Sequence, residues 1–331
     1  MAIYLDEQLD DEPLFGIIAR YLESGPAHAI KPTIHRLFGR KFGASYMNGG
    51  LDHVARETEA CWGLLPVQIA EKMTVFPYCA AILSSARTQL ILERMCGNRP
   101  VGMKSVHMVA SRTIGWHGHR YCRACLREDK MADGVTHWRR SHQLPGVVVC
   151  PMHGEVLWEL GKYANNWRSG YVSPSAAIRI GGAARIDLNL TNRQKKCCQR
   201  VAQVSVDLLS GSLSIATFRF AESFREFMRS TSGYLCGAKH GDCMNRLMSQ
   251  CFGDEYLRMH GVLRRGLPFF NTLCERSREY PIRNVIALSL MRLVEEQPSL
   301  LADWRFKDIY DYLSPREIPV RQARKNLPRI I

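Results

Sequence analysis

Four residues of this sequence have the types and the spacing of a metal site. Cys122-x-x-Cys125 lies in "YCRACLRED" and Cys150-x-x-His153 in "VVVCPMHGEVL". A Cys-x-x-Cys turn can place two sulfurs about one ion, and thiolate with imidazole is a donor mixture that suits zinc. Four protein ligands close the tetrahedron and leave no open position for water or substrate, so such a site is structural, not catalytic. Its work would be to fold roughly 40 residues that cannot bury a core alone, and binding of this kind supplies on the order of 10 kcal/mol.

Between Cys125 and Cys150 lie 24 residues, a longer gap than in a finger of the two-Cys, two-His type. The length fits a zinc ribbon, in which a hairpin separates the knuckles. Strands are expected at Val135 to Trp138 and at Val147 to Val149, with a turn around Leu144-Pro145-Gly146. His117, His119, His137 and His142 lie close by. Any of them could displace His153, but only His153 has the matching knuckle spacing. Cys236, His240 and Cys243, with Cys197 or Cys198, are a weaker second group without knuckle spacing, and whether they form a second metal site is left open.

Elements are needed to hold these ligands. The chain has 331 residues, 46% hydrophobic and 23% charged, which suits a globular protein of two or three domains. The pattern is mainly α. Pro13 precedes "LFGIIARYLESG", with apolar residues on one side, and further short helices follow in "KPTIHRLFG", "LDHVARETEACWG" and "LPVQIAEKMT". Gly-containing turns between them suit a helix-turn-helix, or equally a plain small helical domain. "AAILSSARTQLILERMCG" reads as another helix. "YVSPSAAIRIGGAARIDLNLTN" reads as a linker with a short extended piece. Beyond it come helices and a basic, Pro-punctuated tail. The expected organisation is a helical domain over 1–115, a small β zinc-ribbon module over 116–160, and a helical C-terminal domain over 161–331.

The formal net charge is +14. Residues 161–331 carry 27 Lys+Arg against 15 Asp+Glu, while the preceding segments are nearly balanced. A one-sided surplus points to a polyanionic partner, nucleic acid above all. Candidate contacts are Lys195, Lys196, Arg264, Arg265, Arg321, Arg324 and Lys325, with Arg139 and Arg140 beside the metal. Each alone is equally at home as a solvated surface charge. No apolar run approaches the ~20 residues that span a bilayer, and the acidic N-terminus lacks the apolar stretch of a signal peptide, so a cytoplasmic protein is expected. The 12 cysteines are then thiols or metal ligands.

Around the metal motif the residues resemble the TniQ/TnsD family, the target-selecting proteins of bacterial transposons. The resemblance rests on Cys122, Cys125, the Trp138-Arg139 pair, "HQLPGV" over His142 to Val147, Cys150, His153, Gly154 and Leu157. "DEPLFGIIARYLESG" is similar to the opening helix of the family's helix-turn-helix domain. The C-terminal half resembles the longer, TnsD-like members more loosely. Some members carry a second Cys-x-x-Cys knuckle; here only Cys197-Cys198 stands nearby. The resemblance implies a protein that recognises the insertion site in double-stranded DNA and recruits an AAA+ ATPase and a transposase. It also allows an adaptor that joins an RNA-guided CRISPR effector complex to that machinery. A homodimer is left open.

Catalysis finds no support in the sequence. The acidic pairs Glu128-Asp129, Asp254-Glu255 and Glu295-Glu296 are adjacent, and neighbours on a helix point about 100° apart, so they rarely share an ion. No P-loop or dinucleotide-binding glycine pattern is present. If the N-terminal domain reads DNA, its recognition helix would run from Pro66 to Thr74. That helix offers Gln68, Glu71 and Lys72, which is poor in arginine for base reading.

Overall fold

A computed structural model describes residues 3–25, 30–40, 45–97, 118–160, 171–181, 183–213, 226–227, 247–262 and 281–297. These residues are mainly helical, with one small sheet. Among them no helix is long and apolar enough to cross a membrane.

The N-terminal helices are α1 (Leu14–Glu23), α2 (Ile30–Phe38), α3 (Leu51–Glu57), α4 (Glu59–Trp62), α5 (Pro66–Met73), α6 (Phe76–Ala80) and α7 (Ser85–Cys96). Pro13, extended at φ −78°, starts α1. The apolar stripe read from the sequence is the buried face: Leu14, Phe15, Ile17, Ile18 and Leu22. Glu12 is fully buried just before it. Arg20, two turns into α1, compensates that charge, with Nε 2.9 Å from Oε1 and Nη2 2.9 Å from Oε2. α3 and α4 meet at Thr58, whose hydroxyl donates to the Val54 carbonyl at 2.8 Å. Gly63, at φ 58°, ends α4. Pro66 then opens α5, a position where its missing N–H costs nothing. α3 packs on α2 and on α5.

The middle of the chain departs from the expected ribbon. The order is β1 (Arg120–Tyr121), α8 (Arg123–Ala132), a 3₁₀ turn at Ser141–Gln143, and β2 (Trp158–Leu160). The segment after Cys122 is a ten-residue helix, because "RACLREDKMA" is made of good helix formers with no β-branched residue. Val135 to Trp138 forms no strand. Val149 makes a single bridge to Val156. The strands therefore flank the knuckles instead of separating them.

β1, β2 and β3 (Ala183–Arg185) form one antiparallel sheet with β2 central. Tyr121 and Arg185 lie opposite Trp158 on either side. Gly118 leads into β1 so close to its neighbour that a Cβ there would lie 1.9 Å from the Leu160 carbonyl oxygen. The segment expected to be a linker holds α9 (Pro174–Ile180) and β3. Residues on both sides of the expected boundary at 160/161 thus share a sheet.

α10 (Asn192–Leu209) starts with a reciprocal cap between Thr191 and Gln194 and packs against α6 and α12 (Pro281–Glu296). Residues 247–252 are helical and lead into α11 (Asp254–Met259). Buried hydrophobic side chains from Ile3 to Val294 form one contiguous cluster. Two tyrosines bind its parts together at the Pro145-Gly146 turn: Tyr78 donates to the Pro145 carbonyl at 3.4 Å and Tyr256 to the Gly146 carbonyl at 2.8 Å.

His260, against the ring of Tyr256 at 4.6 Å, is held down to about 3 by burial and then by the Arg120 charge. A histidine kept neutral in the fold contributes stability above its unfolded value near 6.5 and loses it as pH falls toward 3. One unit below that value the loss is about 1.4 kcal/mol. Denaturant midpoints should therefore fall between pH 7.5 and 5.5, and less steeply in His260→Gln; an equal slope in both would contradict this.

Candidate metal centre

Each ligand is positioned by a local feature. Cys122 is the residue before α8 and Cys125 closes its first turn. The second knuckle is a tight turn beyond the buried run Val147 to Val149. Its ends are tied by Cys150 N–H to the Glu155 carbonyl at 2.8 Å and by Gly154 N–H to the Cys150 carbonyl at 2.9 Å. Gly154 takes φ 66°, in the left-handed region that favours glycine.

The donor atoms of Cys122, Cys125, Cys150 and His153 all lie within 4.8 Å of one another, three of the residues buried. His153 Nδ1 is 3.7, 3.3 and 3.6 Å from the sulfurs of Cys122, Cys125 and Cys150. Cys125 and Cys150 sulfurs are 3.6 Å apart. A tetrahedron with ~2.3 Å metal–sulfur and ~2.05 Å metal–nitrogen bonds has edges of roughly 3.6–3.8 Å. The donors match that size, so this cluster could hold a metal ion.

The electrostatics agree. Three thiols this close compete for ionisation. Hydrogen bonds from Cys125 and Cys150 drive Cys122 down, and the same crowding by Cys122 pushes Cys125 up and Cys150 up to about 11. A divalent cation is the charge that lets all three ionise together. His153 Nε2 faces Glu128 Oε1 at 2.9 Å, a contact that raises the imidazole and fixes Nδ1 toward the sulfurs. The spacing Cys-x-x-Cys-x-x-Glu carried that signal in the sequence.

The other histidines are sorted by the fold. His119 stacks on Phe15, centroids 4.5 Å apart, and meets the Tyr46 hydroxyl at 2.6 Å. His137 Nε2 lies 2.9 Å from the Asp10 carbonyl oxygen, with Nδ1 3.4 Å from Asp129. His142 does reach the cluster. Its Nε2 is 3.5 Å from Cys150 and 3.8 Å from Cys125, and burial holds the ring neutral, at about 3. His117 lies outside the described residues.

Arg139 and Arg140 were expected at a nucleic-acid surface. Their side chains are 12% and 15% exposed and are paired within the fold. Arg139 pairs with Asp129 and bonds the Asp10 carbonyl. Arg140 sits 3.2 Å from Asp11 Oδ1 and donates to the Glu71 and Thr74 carbonyls at the end of α5. Together they clamp the metal module onto the N-terminal helices. Arg140→Ala would take the cation from Asp11, which keeps only the Ser141 N–H at 2.9 Å, so a loss of about 2–3 kcal/mol is expected, short of the roughly 3–5 of a fully buried pair. Thermal melts should show the loss, while the salt dependence of any DNA binding stays as in the parent; the reverse pattern would return Arg140 to the surface role.

Lys195 and Lys196 lie near the start of α10, Lys196 exposed. Arg264, Arg265, Arg321, Arg324 and Lys325 lie outside the described residues, as do Cys236, His240 and Cys243. Cys197 and Cys198 are buried on α10. Among the described residues the Cys3His set is the sole such cluster.

The fold is a set of N-terminal helices strapped to a module that carries a Cys3His cluster able to hold a metal ion. Residues 6–157 match the TniQ family model, so this segment is a TniQ domain. The TniQ domain indicates a transposon-associated role in target selection or as an adaptor. Among curated proteins none matches the chain.

Proposed function

We propose that this protein selects the insertion site of a bacterial transposon by binding double-stranded DNA there, and recruits the AAA+ ATPase and transposase to it. The observation that carries the reading is the TniQ match over the helical domain and metal module together. The ion is zinc and structural: three sulfurs and one nitrogen at tetrahedral separations suit it, and every donor is used in holding the fold. The charge of +14 supports contact with phosphates. We assign the protein no catalytic step.

One observation favours the adaptor to an RNA-guided effector as a second reading. The outer side of α5 presents Leu65, Val67, Glu71 and Lys72, a surface better fitted to protein than to base edges. A gel shift on duplexes with and without the insertion site separates the two. Tight, site-dependent binding by the protein alone supports direct selection. Binding only when the effector complex is present supports the adaptor. Retention of the ATPase on immobilised target DNA in neither case would contradict both.

A further inference from the structure

On α8, Arg123, Arg127 and Lys130 stand at i, i+4 and i+7, all exposed. That spacing puts them on one face. The acidic residues of the same helix are turned elsewhere: Glu128 faces His153, and Asp129 is buried beneath Arg139. The Arg123 guanidinium carbon lies over the Trp158 ring, 3.4 Å from its centroid. Across the sheet from Trp158 stands exposed Arg185 on β3. None of these four cations forms an ion pair with a described residue. The contrast is with Arg139 and Arg140, which the fold consumes.

Four like charges on one small face repel one another, and a polyanion relieves that repulsion. The cation–π contact with Trp158 fixes the Arg123 guanidinium in place, and beyond the N–H shared with the Tyr121 hydroxyl it has further N–H groups for oxygen acceptors. Because Arg123 occupies the ring face, Trp158 has none to offer an unstacked base on that side. We propose that the outer face of α8 with β3 docks on the phosphate backbone of duplex DNA, independently of sequence. This rests on the DNA-binding reading above and gives the metal module a second task, that of presenting a phosphate-binding stripe.

The test uses the full metal-loaded chain and a fluorescent mixed-sequence duplex, with binding measured by anisotropy across a salt series. The triple variant Arg127→Gln, Lys130→Gln, Arg185→Gln leaves the Arg123–Trp158 stack in place. Each lost phosphate contact flattens the log–log salt slope by roughly 0.9, so a change of about 2.7 is expected, with at least tenfold weaker binding at low salt. The charge-keeping triple Arg127→Lys, Lys130→Arg, Arg185→Lys should restore the parent slope, which a packing defect would not do. An unchanged slope in the glutamine variant, or an equal loss in both variants, overturns the inference. A loss seen on single-stranded DNA but not on duplex overturns it too. A parent chain that binds no duplex contradicts the DNA-binding reading itself; a parent that binds with an unmoved variant contradicts only this surface.

Discussion

Cys125→Ser is expected to purify with its metal content reduced from one ion per chain to near zero, and with the segment around 118–160 open to protease. Cys125 Sγ lies 3.6 Å from Cys150 Sγ and 3.3 Å from His153 Nδ1, and a serine hydroxyl there does not replace a thiolate as a zinc donor, so the site opens. Metal binding of this kind is worth on the order of 10 kcal/mol, as much as the whole stability of an ordinary domain. The damage should spread, because Val147, Val148, Val149 and Cys150 belong to the same buried cluster as α1 and α12. Native mass spectrometry and limited proteolysis read both effects. A variant that keeps one ion per chain and resists protease would remove Cys125 from the ligand set.

Trp138→Ala should cost about 3–5 kcal/mol, the range for losing a large buried aromatic. Trp138 is 1% exposed and packs on Phe15, His119 and Tyr121, so it pins α1, the metal module and β1 together. Its Nε1–H also donates to the Val172 carbonyl at 2.7 Å. Trp138→Phe keeps most of the packing and loses that bond, so a smaller cost of about 1–2 kcal/mol is expected. Urea midpoints give the ordering. The ion should be retained in both variants, which separates this effect from loss of a ligand. An alanine variant within about 1 kcal/mol of the parent would show that the three parts do not depend on Trp138.

The Cys3His cluster was legible in the sequence because two knuckles repeat one local geometry, and each spacing is only three residues. α1 and α5 were legible for the same local reason: a proline sets the start and an apolar stripe sets the buried face. The hairpin was not. Val135 to Trp138 has strand-forming residues, but its polar groups are claimed from afar, by Asp10 for His137 and by Val172 for Trp138. The charge of Arg140 could be read from the sequence, but not its destination, since Asp11 lies 129 residues away along the chain. The same blindness hid the Arg123–Trp158 stack, which exists only because β2 returns beside β1.

X-ray absorption at the zinc edge of the full chain, purified without chelator, tests the central assignment most directly. Three sulfurs at ~2.3 Å and one nitrogen at ~2.0–2.1 Å are predicted, with the nitrogen lost from the first shell in His153→Ala. An oxygen-dominated shell, or two nitrogens with two sulfurs because His142 has replaced a thiolate, would contradict it.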